Sequence, residues 1–162
     1  MFGEAGNDLL TGGGSTDDID GGAGNDLIFA GGGANLIIPG AGRDVIDPGA
    51  GQDTITLEVG STGRKRSFDL IKNFARQDLI QIDLALLLRS GLKDPGRLAA
   101  SKFRPVRSIR DLDEDEASKI VYERGTGGVY YLRTNGKEVR LFGLDRELNI
   151  SAKRFELVGS GL

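Results

Sequence analysis

The chain of 162 residues contains no cysteine, no histidine and no tryptophan. Without cysteine and histidine, zinc, copper, haem and iron–sulfur centres lack their usual ligands. The same absence removes two side chains on which nucleophilic and general acid–base catalysis commonly depend. No disulfide can form, and no apolar run approaches the ~20 residues that a membrane span needs. These absences argue against a cysteine- or histidine-based enzyme, a disulfide scaffold and a membrane-spanning protein.

Glycine, in contrast, is abundant, and residues 3–56 consist of six consecutive copies of one nine-residue unit. In order, the copies read GEAGNDLLT, GGGSTDDID, GGAGNDLIF, AGGGANLII, PGAGRDVID and PGAGQDTIT. The sixth position carries a carboxylate or its amide in every copy: Asp8, Asp17, Asp26, Asn35, Asp44 and Asp53. The eighth position is always leucine or isoleucine: Leu10, Ile19, Ile28, Ile37, Ile46 and Ile55. Six copies without an insertion or deletion cannot be a chance arrangement.

Each unit divides into a glycine-rich turn and a strand of three residues. Glycine tolerates positive φ and lets neighbouring backbones approach closely. So short a strand cannot bury its large eighth-position side chain alone, but stacked copies bury it against each other. We therefore predict coils of two repeats, with one short strand on each face. The turns of repeats one, three and five then form one edge of the stack (the odd edge), and those of repeats two, four and six form the other (the even edge).

This geometry stacks sixth-position side chains about 5 Å apart, the spacing of hydrogen-bonded strands. Like charges at that distance repel each other, and glycine-rich turns also direct several carbonyl oxygens inward. A hard divalent cation resolves the repulsion. Calcium accepts 6–8 oxygen ligands in flexible geometry, whereas magnesium prefers a tight octahedron and keeps its waters. The residues therefore indicate calcium.

The repeat resembles the G-G-x-G-x-D-x-U-x nonapeptide of the RTX (repeats-in-toxin) family, the calcium-binding region of proteins exported by type I secretion. The resemblance implies an all-β fold, a right-handed parallel β-roll of nonapeptide repeats capped by a C-terminal β-rich region with short helices. It implies calcium as the bound ion. It also implies a secreted, extracellular protein, because this family uses an uncleaved C-terminal secretion signal and needs no hydrophobic N-terminal one.

The resemblance further implies four complete calcium sites, each between two turns on the same edge. Apart from the sixth-position side chains, all ligands act through backbone oxygen. The odd-edge sites use Glu4, Gly6, Asp8, Gly21, Ala23 and Asp26, and then Gly22, Gly24, Asp26, Pro39, Ala41 and Asp44. The even-edge sites use Gly13, Ser15, Asp17, Ala30, Gly32 and Asn35, and then Gly31, Gly33, Asn35, Pro48, Ala50 and Asp53. Gly40 and Gly42 are candidates for a partial site at the end of the roll.

Asn35 departs from the pattern, since its side chain offers an oxygen without a charge. We expect the two sites that share it to bind calcium more weakly. A single glycine- and aspartate-rich segment is usually a loop or a disordered stretch. Six copies in register favour calcium binding instead. Disorder remains the expectation for the calcium-free chain, in which carboxylate repulsion is uncompensated.

The net charge of the chain changes sign where the repeats end, at residue 56. Residues 1–56 contain nine acidic residues and one basic residue, a net charge of −8, and residues 57–162 contain fifteen and twenty, a net charge of +5. We expect residues 1–59 to form the roll and residues 60–162 to form a capping and secretion region continuous with it. The basic half is compatible with an acidic polysaccharide partner, although scattered Lys and Arg more often form an ordinary solvated surface. No nucleic-acid partner is expected.

The segment FDLIKNFARQDLIQIDL (68–84) resembles the one that follows the repeats in RTX proteins and in serralysin-type protease C-terminal domains. The resemblance implies that Asp69 helps to close the last calcium turn, although a loop-capping role is an equal alternative. Asn73 stands where the family has a second aspartate, so a ligand role there is in doubt. Alternation predicts a strand over 78–84, with Leu79 or Ile80, and Ile82, as candidates for the core.

The remainder is predicted to be mainly β. Residues 84–91 suggest a short helix, and residues 95–103 either a helix or an irregular loop. Alternating residues over 120–142, with the Asn135-Gly136 turn signal, predict a three-stranded meander. The acidic run 111–116 is expected to be an exposed linker rather than a metal site. The tyrosines are expected to pack in the core rather than to stack on sugars. Residues 150–162 resemble the final RTX strand, which should pack on the open end of the roll.

No nucleophile motif, phosphate-binding loop or zinc-binding helix is present, so we expect a non-catalytic protein. Met1 and Phe2 lead directly into the first repeat, which suggests the C-terminal part of a longer polypeptide. Three functions are compatible with the sequence. The first is a calcium-dependent folding and export module that stabilises or chaperones an upstream domain. The second is a glycan- or surface-binding module of a secreted adhesin or polysaccharide-modifying enzyme. The third is the non-catalytic tail of a secreted protease or lipase.

Overall fold

A computed structural model of the chain describes residues 1–58, 68–83, 96–97, 103–106, 120–123, 126–132, 138–144 and 155–158. All regular structure in these ranges is β-strand. The strands are β1 (Leu9–Gly13), β2 (Asp18–Asp20), β3 (Ala23–Gly24), β4 (Leu27–Gly31), β5 (Leu36–Ile38), β6 (Ala41–Gly42), β7 (Val45–Asp47), β8 (Thr54–Glu58), β9 (Asp69–Ile71), β10 (Leu79–Asp83), β11 (Gly96–Arg97), β12 (Phe103–Val106), β13 (Ile120–Glu123), β14 (Gly128–Leu132), β15 (Glu138–Leu144) and β16 (Phe155–Val158).

The six repeats form the predicted parallel roll. Strands β1, β4 and β7 of the odd repeats pair in parallel on one face, and β2, β5 and β8 of the even repeats pair on the other. Partners such as Ile28 and Ile46 are 18 residues apart, so one coil contains two repeats. The second and third coils also pair through their turns, where β3 lies parallel to β6.

A fourth coil follows the six repeats. Strand β9 pairs in parallel with β7, and β10 pairs in parallel with β8. Ile46 faces Ile71, and Ile55 faces Ile80, at an offset of 25 residues rather than 18. The connection before β9 is therefore seven residues longer than in a regular coil. The parallel stack thus continues to Asp83, the last residue of β10.

The core of the roll is the column of eighth-position side chains. Ile28, Ile37, Ile46 and Ile55 are fully buried, and the fourth coil adds the equally buried Ile71 and Ile80. Full burial of an isoleucine side chain contributes about 1.5–3 kcal/mol relative to exposure. A continuous column of this kind is what holds together strands that are individually too short to fold.

The C-terminal region closes the open end of both sheets, as the sequence predicts. Strand β16 pairs in parallel with β10 at the end of the six-stranded sheet, and β15 pairs in parallel with β9 in the eight-stranded sheet. Strands β13, β14 and β15 form the predicted antiparallel meander, and β12 joins its outer side. These additions cover the strand edges at which the stack would otherwise end.

The sequence left two alternatives open for residues 95–103, a helix or an irregular loop, and the described residues of that segment form neither. Gly96–Arg97 is a strand that pairs antiparallel with β16, and Phe103 begins β12. Tertiary pairing with an available strand edge overrides the weak local helix preference here. The short helix predicted for 84–91, the acidic run 111–116 and the Asn135-Gly136 turn lie outside the described residues. In the part of the chain that is described, no helix is long and apolar enough to span a bilayer.

Candidate calcium sites

The sixth-position side chains of the odd edge form a continuous hydrogen-bonded ladder. The backbone N–H of Asp8 donates to Oδ1 of Asp26 at 2.8 Å, and that of Asp26 donates to Oδ1 of Asp44 at 2.8 Å. The N–H of Asp44 donates to Oδ1 of Asp69 at 3.0 Å. Each carboxylate therefore caps the turn one coil earlier with one oxygen.

The even edge repeats the arrangement with one amide in it. The N–H of Asp17 donates to Oδ1 of Asn35 at 2.9 Å, and that of Asn35 donates to Oδ1 of Asp53 at 2.9 Å. The N–H of Asp53 donates to Oδ1 of Asp78 at 3.3 Å. Asp78 thus occupies the sixth position of the fourth coil on this edge.

The second carboxylate oxygen is where the ladder is incomplete. Oδ2 of Asp8, Asp26, Asp44 and Asp53 is buried and forms no hydrogen bond. Asp44 and Asp53 have no exposed surface, and Asp26 is 2% exposed. A buried carboxylate oxygen without a partner costs several kcal/mol unless a cation or a donor compensates it. These oxygens therefore mark the places where a cation fits.

Backbone carbonyls face the same gaps. A Cβ atom placed on Gly21 would lie 2.3 Å from the carbonyl oxygen of Pro39 and 2.8 Å from Oδ2 of Asp26. A Cβ atom on Gly3 would lie 2.5 Å from the carbonyl oxygen of Gly21 and 3.0 Å from Oδ2 of Asp8. Because the first-position glycines have no Cβ, a pocket of oxygens remains open between successive turns. Its donor set, a carboxylate with carbonyls, is the one that calcium prefers.

The turns of five of the six repeats place their second and fourth positions at positive φ, and the exception is the second repeat with Gly13 and Ser15. The fourth-position glycines Gly6, Gly24 and Gly42 have φ values of 134°, 146° and 153°. Glu4 occupies the second position of the first turn and adopts φ 71° although it carries a side chain. Its carbonyl oxygen accepts a hydrogen bond from the N–H of Ala23 at 2.7 Å, which leaves a second lone pair for an ion. The backbone of the turns is therefore shaped by the repeat even where glycine is replaced.

Three carboxylates of the ladder have raised pKa values. Burial raises the pKa of Asp69 to about 7, and the neighbouring charge of Asp44 adds to the rise. Burial likewise raises the pKa of Asp44, and repulsion from the charge of Asp26 adds to the rise. The hydrogen bond that the N–H of Asp26 donates to Asp44 opposes it. Burial also raises the pKa of Asp53, which the backbone N–H and the amide of Asn35 partly offset. Burial therefore disfavours the ionised form of all three carboxylates, and a bound cation would favour it.

The structure brings Asp69 into the odd-edge ladder beside Asp44, where the resemblance placed a candidate ligand. Asn73 lies elsewhere, with φ 52° and its Nδ2 donating to Oδ2 of Asp47 at 2.7 Å. Sequence reasoning missed Asp78, although a signal was present. The tripeptide Asp-Leu-Ile begins at Asp69 and again nine residues later, and it also begins at Asp26 of the third repeat.

Each gap between turns offers at most two carboxylates. Within the described ranges, no three His, Cys, Asp or Glu side chains converge as a metal-binding group. An ion between the coils would therefore have to draw most of its ligands from backbone carbonyls. Calcium accepts such a set, whereas transition metals favour histidine and cysteine ligands.

A parallel roll of glycine-rich turns with buried, unpaired carboxylates defines a calcium-binding repeat module. The profile of the RTX calcium-binding nonapeptide repeat, which spans four copies, matches residues 1–28 and 20–55. The fold is similar to the solution structure of the AlgE6R3 subunit from the Azotobacter vinelandii mannuronan C5-epimerase. The sequence identity is 25%, the TM-score is 0.55, and the match covers 94% of this chain and 78% of that one. No curated protein sequence matches the chain. Residues 1–55 therefore carry RTX calcium-binding nonapeptide repeats, and the ion that such repeats bind is calcium.

Proposed function

We propose that this module couples its folding to calcium, so that it remains unfolded during export and folds in the calcium-rich extracellular medium. In this proposal the export route is a type I secretion machinery, and the folded module stabilises an upstream domain of the same polypeptide. The module itself is non-catalytic. The observation that carries the proposal is the set of four buried carboxylate oxygens without hydrogen bonds.

The physical argument concerns the free energy of folding. Without a cation, the roll must bury charged groups beside each other or protonate them, and either choice reduces its stability. An ion that binds only the folded state stabilises it by about 4 kcal/mol at a thousand times its dissociation constant. Two or three such ions would together contribute about 8–12 kcal/mol, which is comparable with the net stability of an ordinary domain, about 5–15 kcal/mol. Calcium concentration can therefore act as the switch for folding.

The N-terminal end of the stack supports an upstream partner in the same polypeptide. Strands β1 and β2 lie at the outer edges of their sheets, and Phe2 pairs with Asp20 as the ninth position of a further repeat would. Phe2 is 78% exposed and Leu9 is 67% exposed. A preceding coil or domain would cover these apolar side chains and strand edges.

A calcium titration followed by far-UV circular dichroism tests this proposal. We expect the chain to lack ordered β-structure in EDTA and to gain it cooperatively when calcium rises to millimolar concentration. Magnesium at the same concentration is the control and should not replace calcium, since it retains its waters. Equal β-structure in EDTA and in calcium would contradict the proposal.

A second candidate function is glycan binding, and one surface feature supports it. A shallow groove of about 370 Å³ lies beside strands β5, β8 and β10. It is lined by Gln52, Gln81, Thr54 and the apolar Leu36 and Leu79, together with Ala34 and Asn35. Amide and hydroxyl groups beside apolar surface suit a sugar ring, and the structural neighbour belongs to an epimerase of mannuronan. Retention on mannuronan in the presence of calcium, lost in Gln52→Ala, would favour this function. No retention of the wild-type chain would argue against it.

A further inference from the structure

We propose that calcium occupies only the odd edge, because Asn35 directs an amide nitrogen into both gaps that it shares on the even edge. This inference rests on the calcium-dependent folding proposed above and specifies which part of the roll responds to the ion. The repeat pattern predicts calcium sites on both edges, with weaker binding where Asn35 is a ligand. The inference instead gives calcium sites to one edge alone.

On the odd edge every unpaired atom is an oxygen. Oδ2 of Asp8, Asp26 and Asp44 is buried without a hydrogen bond in three consecutive coils. Two gaps lie between these residues, and a third lies between Asp44 and Asp69. Negative charge therefore accumulates along this edge, with no donor in the ladder left to balance it.

On the even edge the corresponding atom of Asn35 is a nitrogen. Its Oδ1 accepts the hydrogen bond from the N–H of Asp17, which directs Nδ2 to the side where the aspartates direct Oδ2. Nδ2 is buried and forms no hydrogen bond of normal geometry. An ion in either gap that shares Asn35 would therefore face the positive end of an amide group.

Rotation of the amide does not remove the conflict. If Oδ1 turned towards the ion, Nδ2 would face the N–H of Asp17, and two donors would oppose each other. The N–H of Asp17 is partly buried, and loss of a hydrogen bond to a buried donor costs about 1–3 kcal/mol at most sites. Aspartate avoids this choice because both of its side-chain atoms are acceptors.

The remaining carboxylates of the even edge also have protein partners. Oδ2 of Asp17 accepts from the N–H of Gly13 at 2.9 Å. Asp78 uses both oxygens, because Oδ2 accepts from the N–H of Ala75 at 2.6 Å in addition to the bond from Asp53. Only Asp53 retains an unpaired Oδ2 on this edge.

Ion counting by native mass spectrometry, with calcium as the only added ion, tests the inference. We expect two or three ions on the wild-type chain. Asn35→Asp should bind about two more, because it restores an oxygen to both gaps that share this position. Asp26→Asn is the matched change on the odd edge and should bind about two fewer.

Asn35→Ala provides a second measurement if the aspartate variant folds poorly. It should keep the wild-type ion count, since the inference gives Asn35 no ligand role, whereas a ligand role would make the count fall. An unchanged count in Asn35→Asp, or a reduced count in Asn35→Ala, would overturn the inference. A wild-type chain that binds no calcium would instead contradict the calcium-dependent folding on which the inference rests.

Discussion

Gly42→Ala should prevent the roll from folding, even in saturating calcium. Gly42 has a φ of 153°, and a Cβ atom added to it would lie 1.5 Å from the carbonyl oxygen of Gly24 in the coil before it. The atom that it meets belongs to the backbone of a packed turn and cannot rotate away. Alanine is also strained at this φ by about 1–3 kcal/mol. Together we expect a loss of at least about 4 kcal/mol, among the largest effects of a single substitution.

The substitution leaves the candidate ligand atoms in place, because alanine keeps the carbonyl oxygen of glycine. A loss of folding would therefore report the stacking distance between turns rather than the loss of a ligand. Gly14→Ala is the matched control, since its Cβ would meet no atom within 4 Å and its φ is not in the left-handed region. Urea denaturation in millimolar calcium measures both variants. Equal midpoints for Gly42→Ala and Gly14→Ala would contradict the stacked-turn geometry.

The repeated part of the fold was predictable because its spacing has one physical meaning. A turn that recurs every nine residues, with Ile at the eighth position, must stack to bury that side chain. Ile28 and Ile46 are indeed register partners and fully buried. The meander was predictable for a similar reason, because alternation in β13 to β15 has a period of two.

The fourth coil escaped prediction because its turns do not carry the glycine signature. Its strands repeat the Asp-Leu-Ile pattern at Asp69 and Asp78, but the nine-residue frame before them is interrupted by seven additional residues. The strand at Gly96–Arg97 escaped for a different reason. It depends on pairing with β16, which lies about sixty residues later in the chain, and local preference contains no information about such a partner.

For the candidate sites, the sequence predicts the residue types but not the direction of their hydrogen bonds. Which oxygen caps a neighbouring N–H, and which remains unpaired, depends on the register between coils. Asn35 is the clearest case, because its amide side chain suggests a weaker ligand from the sequence alone. The hydrogen bond from the N–H of Asp17 to its Oδ1 directs Nδ2, a nitrogen, towards the gap between turns. Asp78 is the opposite case, a ladder residue whose two oxygens both accept protein hydrogen bonds.

The calcium-free chain should be more stable at pH 5 than at pH 8. Burial raises the pKa of Asp69 from an ordinary value of 3.8 to about 7 in the folded state. Between these two values the folded state binds a proton that the unfolded state has released, so stability falls as pH rises and levels off above about pH 7. The raised pKa values of Asp44 and Asp53 act in the same direction. A proton then takes part of the role of the ion.

Far-UV circular dichroism in EDTA at a series of pH values measures this dependence, as β-structure gained when a chain that is unfolded near neutral pH is acidified. Asp69→Asn is the control, because its Oδ1 can still accept the hydrogen bond from Asp44 while the titrating group is removed. We expect this variant to lose most of the change in stability between pH 5 and pH 8. Stability that rises with pH in EDTA would contradict a buried, uncompensated ladder. In millimolar calcium the dependence should reverse, because protons and calcium compete for the same carboxylates and ion binding is favoured as pH rises. A module of this kind therefore folds best without calcium in acid and best with calcium near neutral pH, which places its response to the ion at the pH of most extracellular media.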